Sequence, residues 1–313
     1  MTAPDATSSD STSTQQEHME TAKKLRVAVT GINGKVGGYA VDALLAAGHE
    51  VVGIDRTSAQ RDDIISIVAD LGDYGQTFDA LGSVGWDVLG DTQDRAFDVV
   101  VHLAAVPHPR LVSNTQTFGN NVMAFYNVVE ACRRLKIKDI VIASSETVLG
   151  VPFGDDLPYL PLDDDAPRRG RNAYGLSKVV GEHVAEEFTA GDPDLRITAL
   201  RISYVQTVQE YAEYPSFADD LDARAWDIWS YVDARDVGQA VELAVRHEPR
   251  GFRAYLIVAD DTVMPIPTAD IIAARYPRAE VRGRIAEHGS LLSNARARDE
   301  LGFTPRHSWR DHV

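Results

Sequence analysis

The sequence predicts an α/β protein built on a doubly wound parallel sheet, and three observations predict it. Six short runs rich in Val and Ile (LRVAVT, EVVGID, ISIVAD, FDVVVHLAA, DIVIASS and LRITALR) are apolar almost throughout, the pattern of strands covered on both faces. Segments of helical character separate them, at residues 37–47, 114–135 and 173–188, and alternating strand and helix is the signature of a parallel sheet with helices on both sides. The 313 residues, 44% hydrophobic and 25% charged, are enough for a sizeable core in one large domain or two smaller ones.

In chain order, residues 1–24 come first. They are rich in Ser, Thr, Asp and Gln with almost no large apolar side chains, and such a segment is expected to be a disordered tail. It carries a net charge of −2, so −14 of the chain's −16 belongs to residues 25–313. Residues 25–200 hold the six strand-like runs and form the nucleotide-binding unit. Beyond Arg201 the pattern turns irregular: YVQTVQEYAEYPSFADDLDARAWDIWS is polar and aromatic, and reads as loops with short helices. DARDVGQAVELAVRH then reads as a helix, AYLIVAD as a strand and LLSNARARDELGF as a last helix. Residues 201–313 are thus expected to form a small substrate-binding cap interleaved with the last elements of the sheet.

The first strand runs into VAVTGINGKVGGYAVDALLAAG. Gly31, Gly34 and Gly37 make a GxxGxxG turn between strand and helix, where glycines allow a tight bend and let backbone N–H groups approach a pyrophosphate. A glycine triplet alone also reads as a plain turn with packing glycines. The second strand, however, ends in Asp55, 24 residues after Gly31, the place from which a carboxylate accepts an adenosine ribose 2′-OH. Asn33, Lys35 and Val36 belong to the same loop. Asp55 points to NAD, because a carboxylate repels a 2′-phosphate. Arg56 and Lys35 keep NADP open, since either can pair with such a phosphate; their alternative is solvated surface charge.

Bulk properties remove several classes. An acidic surface repels nucleic acid and anionic membrane, and no apolar run approaches a membrane span in length. Cys132 stands alone and reads as core. The nine histidines show no metal-ligand spacing. With no signal-peptide pattern at the N-terminus, the expectation is a cytoplasmic protein without metal.

RNAYGLSK then places Tyr174 and Lys178 on one helix face, which alone is also what an amphipathic helix looks like. At this point the chain resembles the extended short-chain dehydrogenase/reductases of the NAD-dependent epimerase/dehydratase group. The resemblance rests on TGINGKVGGY, VADLGD, VVHLAAVP, NVMAFYNVVEAC, ASSETVLG and YGLSK, six motifs in the family's order, and covers residues 25–200 well and the remainder loosely. It implies a Rossmann-like fold, with Asp70 and Leu71 at the adenine, Leu103, Ala104 and Ala105 lining the cofactor, and Asn121 as a structural or active-site asparagine. It places the catalytic set on Ser145, Tyr174 and Lys178, with Ser144 as the neighbour easily confused with Ser145. Tyr174 and Lys178 also hold the nicotinamide ribose in that resemblance. A homodimer through the helices at 114–135 and 173–188 is implied as well.

The chemistry fits such a set. A phenol with its ordinary pKa of about 10 is a poor base at neutral pH, and bringing it to about 7 takes about 4 kcal/mol of differential stabilisation. A lysine one turn away and a cationic nicotinamide ring are expected to supply it. Ser145 would fix the substrate oxygen against the phenol; its bland alternative is a strand-end serine bonded to nearby backbone.

The substrate is less legible. Dehydratases of this family carry an Asp-Glu pair directly after the catalytic Thr/Ser, whereas here Glu146 is followed by Thr147, which argues against elimination. Only 29 residues separate Arg201 from Tyr231, a short cap similar to that of uronate dehydrogenases. The expectation is therefore an NAD(P)-dependent oxidoreductase of a sugar or sugar-acid-like alcohol. The alternatives are a nucleotide-sugar 4-epimerase and a cofactor-binding regulator without turnover. Tyr204, Tyr211, Tyr214, Phe217, Trp226 and Trp229 read either as sugar-stacking faces or as packing. Arg201 reads equally as a carboxylate binder or an ion-pair partner. Arg168, Arg169 and Arg171 either steer an anion or balance the acids at 163–165.

Overall fold

A computed structural model describes residues 23–82, 96–108, 110–154 and 157–312; most of the tail expected over residues 1–24 lies outside them. Seven strands form one parallel sheet: β1 (Arg26–Thr30), β2 (Glu50–Asp55), β3 (Ile65–Val68), β4 (Val99–His102), β5 (Asp139–Ser145), β7 (Arg196–Ile202) and β10 (Gly251–Ile257). Their order is β10-β7-β5-β4-β1-β2-β3. The order reverses between β1 and β4, where Thr30 is level with both Ile54 and His102, so a crevice opens over the carboxyl ends of these strands.

Helices α1 (Lys35–Ala46) and α5 (Ala234–Arg246) cover one face, burying Val41, Leu44, Val237 and Val241 against it. Helices α2 (Tyr74–Gly82), α3 (Asn114–Leu135) and α4 (Ala173–Gly191) cover the other, where Phe125, Val128, Ala185 and the buried Cys132 pack. The start of α3 is fixed by a capping box between Ser113 and Gln116, a device of about 1 kcal/mol. Asn172 caps α4 by accepting from the Gly175 N–H at 2.8 Å, which sets where Tyr174 and Lys178 fall.

Three expectations need correction. The ISIVAD run is not covered on both faces: β3 is an edge strand with Ile65 and Val68 half exposed, and apolar content alone cannot tell an edge from a centre. LLSNARARDELGF is no full helix; its regular part is a single π turn at Ala297–Leu301, closed by Gly302 in the left-handed conformation. Helices α2 and α6 (Thr268–Arg275) are short and weakly patterned, and the sequence reading passes over both.

The chain after Ile202 contributes both to the sheet and to a separate cluster. Short strand pairs β6 (Tyr159–Leu160) with β11 (Glu280–Val281) and β8 (Val205–Gln206) with β9 (Val232–Asp233) sit beside 3-10 turns at Val208–Asp219 and Ala225–Asp227. Beneath them Tyr211, Tyr214, Trp229, Tyr231 and Trp309 form a third core. Tyr214 meets Tyr231 and Trp309 edge-on, with ring centroids 5.9 and 5.6 Å apart, a favoured aromatic geometry.

Candidate active site

A cavity of about 240 Å³ lies over the switch point, lined by the glycine loop, Asp55, Arg56, Asp70, Leu71, Leu103, Ala104 and Ala105. The loop is built for close approach. Gly31 has φ +75°, and a Cβ there would meet the Ala104 backbone N at 2.7 Å. A Cβ on Gly37 would fall 2.2 Å from the Gly31 carbonyl oxygen. Lys35 and Val36 line the cavity with them, and the first N–H groups of α1 begin just after Gly34, the arrangement that receives an anion.

Asp55 is held in place rather than loose. Its Oδ2 accepts from the Asn33 backbone N–H at 3.1 Å, which leaves acceptor capacity for ribose hydroxyls. Asp70 closes its own turn by accepting from the Gly72 N–H at 2.9 Å, and Leu71 is buried against the cavity wall. Asn127 supports that wall, donating to the carbonyls of Leu71 and Gly72. These residues fit a dinucleotide: a cradle without room for Cβ atoms, a helix N-terminus, a fixed carboxylate and an apolar slot.

Three of the expected cofactor residues sit differently. Asn33 is not among the lining residues; its side chain bridges to Thr57 and Ser58, at 2.9 and 3.0 Å, and braces the loop after β2. Asn121 is buried, accepting from the Val106 N–H at 2.8 Å and donating to the Val106 carbonyl and Ser177, so its role is structural. Lys35 spends its ammonium on Glu210 at 2.7 Å and on the Val205 carbonyl, which ties the glycine loop to the cap and takes it away from a 2′-phosphate. The sequence reading misses Asn120, which lines the cavity, and the Thr30–His102 pair. Thr30 Oγ1 lies 2.9 Å from His102 Nδ1 and accepts from the N–H groups of Leu103 and Ala104, fixing the strand end at the cavity. Burial and then the Lys178 charge push the His102 imidazole down to about 3, so it is neutral.

Ala104 and Ala105 also line a smaller cleft that runs to Lys178, so the cavity continues from the glycine loop to the start of α4. There Ser145 ends β5 and caps the 3-10 turn Glu146–Leu149, accepting from the Thr147 N–H at 3.2 Å. Tyr174 and Lys178 face it from the first turns of α4, with the Lys178 Nζ 5.5 Å from the Tyr174 ring centroid. The Lys178 ammonium donates to the Ala143 carbonyl at 2.6 Å. Ser144 points the other way, donating to Glu182 at 2.6 Å, which separates the two serines.

The electrostatics differ from the expected lowered phenol. Burial pushes the Tyr174 hydroxyl up to about 12; a hydrogen bond with Ser145 works against this, and the Glu146 charge adds to it. Burial pushes the Lys178 ammonium down to about 8, with Glu182 opposing. Desolvation of the phenolate thus outweighs its one hydrogen bond.

The open readings of the cap now resolve. Arg201 is a buried ion-pair partner: it grips Glu182 with two bonds of 2.9 and 2.8 Å and donates to the Asp164 carbonyl at 2.8 Å. Arg168 pairs with Glu186 at 2.9 Å. Tyr211, Tyr214 and Trp229 are core, whereas Tyr204 and Trp226 remain 39% and 41% exposed, with centroids 5.7 Å apart. No cluster of His, Cys, Asp and Glu among the described residues is arranged to hold a metal, and no helix among them is long and apolar enough to cross a membrane.

A switch-point cavity behind a glycine cradle, leading to Ser, Tyr and Lys, defines a dinucleotide-dependent enzyme of the short-chain dehydrogenase/reductase class. Residues 27–216 match the NAD dependent epimerase/dehydratase family, and the chain belongs to it. It is 31% identical to L-arabinose 1-dehydrogenase (NAD(P)(+)) of Haloferax volcanii over 60% of this chain and 70% of that protein. It is also 31% identical to UDP-glucose 4-epimerase of Azospirillum brasilense over 94% of this chain and 91% of that protein. A solved mutated uronate dehydrogenase shares the fold, with a TM-score of 0.64 and 21% identity over 93% of this chain and 86% of that chain. The cofactor is NAD.

Proposed function

We propose that this enzyme oxidises a hydroxyl-bearing carbon of a free sugar or sugar acid, with Tyr174 as general acid/base, Ser145 as the hydrogen-bonding partner of the reacting oxygen and Lys178 as the positioning cation. The observation that carries this reading is the convergence of the three side chains at the inner end of the nucleotide cavity. In this scheme Asp55 holds the adenosine ribose and the loop at Gly31, Gly34 and Gly37 receives the pyrophosphate. Bound NAD supplies the hydride acceptor and a positive ring that favours a phenolate. Ser145 donates to the substrate oxygen and sets its distance from the phenol. Tyr174 takes the hydroxyl proton as the C–O bond becomes a carbonyl, and Lys178 offsets the charge left on the ring oxygen. Holding the oxygen between two such groups removes most of the orientational entropy of the step.

The compact aromatic core under the cap supports a small substrate, because Tyr211, Tyr214 and Trp229 fill the space behind it. Tyr204 and Trp226 are the residues left to meet a sugar face. A second reading, interconversion of a UDP-sugar at carbon 4, is favoured by the full-length similarity to a UDP-glucose 4-epimerase. The resemblance also implies a homodimer through α3 and α4, on which Met123, Tyr126 and Leu176 are exposed. Light scattering at twice the chain mass supports the dimer, and the single mass overturns it.

Tyr174→Phe tests the acid/base assignment. Turnover is expected to fall about 100- to 10,000-fold while the NAD dissociation constant stays within about twofold, since the substitution removes one hydroxyl from the reacting end. Near-normal turnover in that variant would sink the assignment.

A further inference from the structure

Glu146 follows Ser145 directly, yet its side chain is 3% exposed and points into the cap rather than to solvent. Its Oε2 accepts from Ser230 at 2.7 Å, and Ser203 in turn donates to Ser230 at 2.9 Å. Ser230 ends a stretch whose backbone is unusual. Arg224, Ile228 and Trp229 have φ of 59°, 49° and 57°, a conformation that is rare for a non-glycine residue and an outlier for a β-branched one. Such conformations persist only where the surroundings over-determine them.

The surroundings do so here. Asp227, fully buried, pairs with Arg224, and Arg224 donates to the Ser230 carbonyl at 2.7 Å. The Arg224 guanidinium lies 4.2 Å from the Tyr204 ring centroid and 5.6 Å from that of Trp226. Residues 224–230 therefore carry the exposed Trp226 outward and are fastened inward to the strand end that bears Ser145. The inward fastening is the Ser230–Glu146 bond.

We propose that Glu146 is a positioning residue of the reaction: it pins the 224–230 turn over the cleft and sets the charge that the Tyr174 phenol meets. This rests on the assignment of Tyr174 as the acid/base. The charged and titratable groups around Glu146 are Asp227 and Arg224 from the turn and Tyr174 from α4; Tyr214 faces Arg224 and Asp227 from behind. Burial, followed by the Asp227 charge, holds the Glu146 carboxyl well above the usual carboxylate range, with Ser203, Ser230 and Arg224 opposing. Once ionised, Glu146 raises the phenol. By the pH at which the phenol itself loses its proton, the carboxyl is already an anion, so removing that charge should make the phenol more acidic.

The test uses the NAD-loaded protein and needs no identified substrate. Tyrosine labelled with ¹³C at Cζ reports each phenol by NMR, and the resonance missing from Tyr174→Phe identifies Tyr174. Glu146→Gln should lower the Tyr174 midpoint by about one pH unit, and Ser230→Ala, which keeps the carboxyl, should not lower it. Glu146→Met, a buried acid replaced by an apolar side chain of similar volume, should lower it in the same direction if the Gln variant does not fold. An unmoved midpoint in the charge-removing variant that folds overturns the proposal, as does an equal fall in Ser230→Ala. Either result leaves the turnover of Tyr174→Phe, and with it the acid/base assignment, to stand or fall separately.

Discussion

The two ends of the cleft are held by different means. At the nucleotide end, position comes from backbone: glycines packed too closely for a Cβ, an amide N–H on Asp55, a helix N-terminus. At the cap end it comes from side chains far apart in sequence: Glu146 on Ser230, Arg224 on Asp227, Lys35 on Glu210, Arg201 on Glu182. A backbone-built site tolerates almost no added atom but depends little on charge. A site built from buried ions and strained turns can be retuned one residue at a time, which is where members of one family with different substrates would be expected to differ.

The contrast can be broken at either end. Gly37→Ala should have the largest effect, because its Cβ would fall 2.2 Å from the Gly31 oxygen; displacing the loop by about 1 Å should weaken NAD binding about 100-fold, read by calorimetry. Arg201→Ala leaves the buried Glu182 without its main partner and should lower unfolding stability by about 3–5 kcal/mol, measured by urea denaturation, with NAD affinity unchanged in the protein that remains folded. Asp55→Asn removes a charged acceptor at the ribose and should shift preference from NAD toward NADP about tenfold, read as the ratio of the two dissociation constants. Trp226→Ala should raise KM about threefold to tenfold without moving NAD affinity; the reverse pattern would detach the cap aromatics from the substrate.

Lys178 gives the smallest and most pH-dependent effect. Burial holds its ammonium near 8, below an unfolded value of about 10.4, so the folded state releases a proton that the unfolded state keeps. The cost is full below about 8 and disappears above about 10.4. Lys178→Met should therefore gain relative to the parent at neutral pH and lose that advantage as pH climbs through this window, in thermal melts.

Much of the nucleotide end is legible in the sequence because its signals are local. Gly31, Gly34 and Gly37 sit within seven residues, and Asp55 ends the next strand. Tyr174 and Lys178 share one helical turn, and Ser145 is told apart from Ser144 by its place in ASSETVLG, an ordering the side-chain bonds support. Asn33 and Asn121 read as cofactor residues because their motifs do, yet motif position does not fix where an amide side chain turns; one braces a loop and the other a core. The cap is closed to reading for a different reason. Nothing local says that Glu146 will meet Ser230, 84 residues on, or that Tyr211 is core while Tyr204 is exposed.

Net oxidation of a sugar-like alcohol by NAD at the Tyr174 end of the cavity is the central claim. Its most direct test is the absorbance of NADH when the purified protein is mixed with NAD and, separately, L-arabinose, D-glucuronate, D-galacturonate and UDP-glucose. NADH is expected to accumulate in proportion to at least one free sugar or uronate and not with UDP-glucose. Conversion of UDP-glucose to UDP-galactose, with no NADH from any free sugar, would contradict the claim.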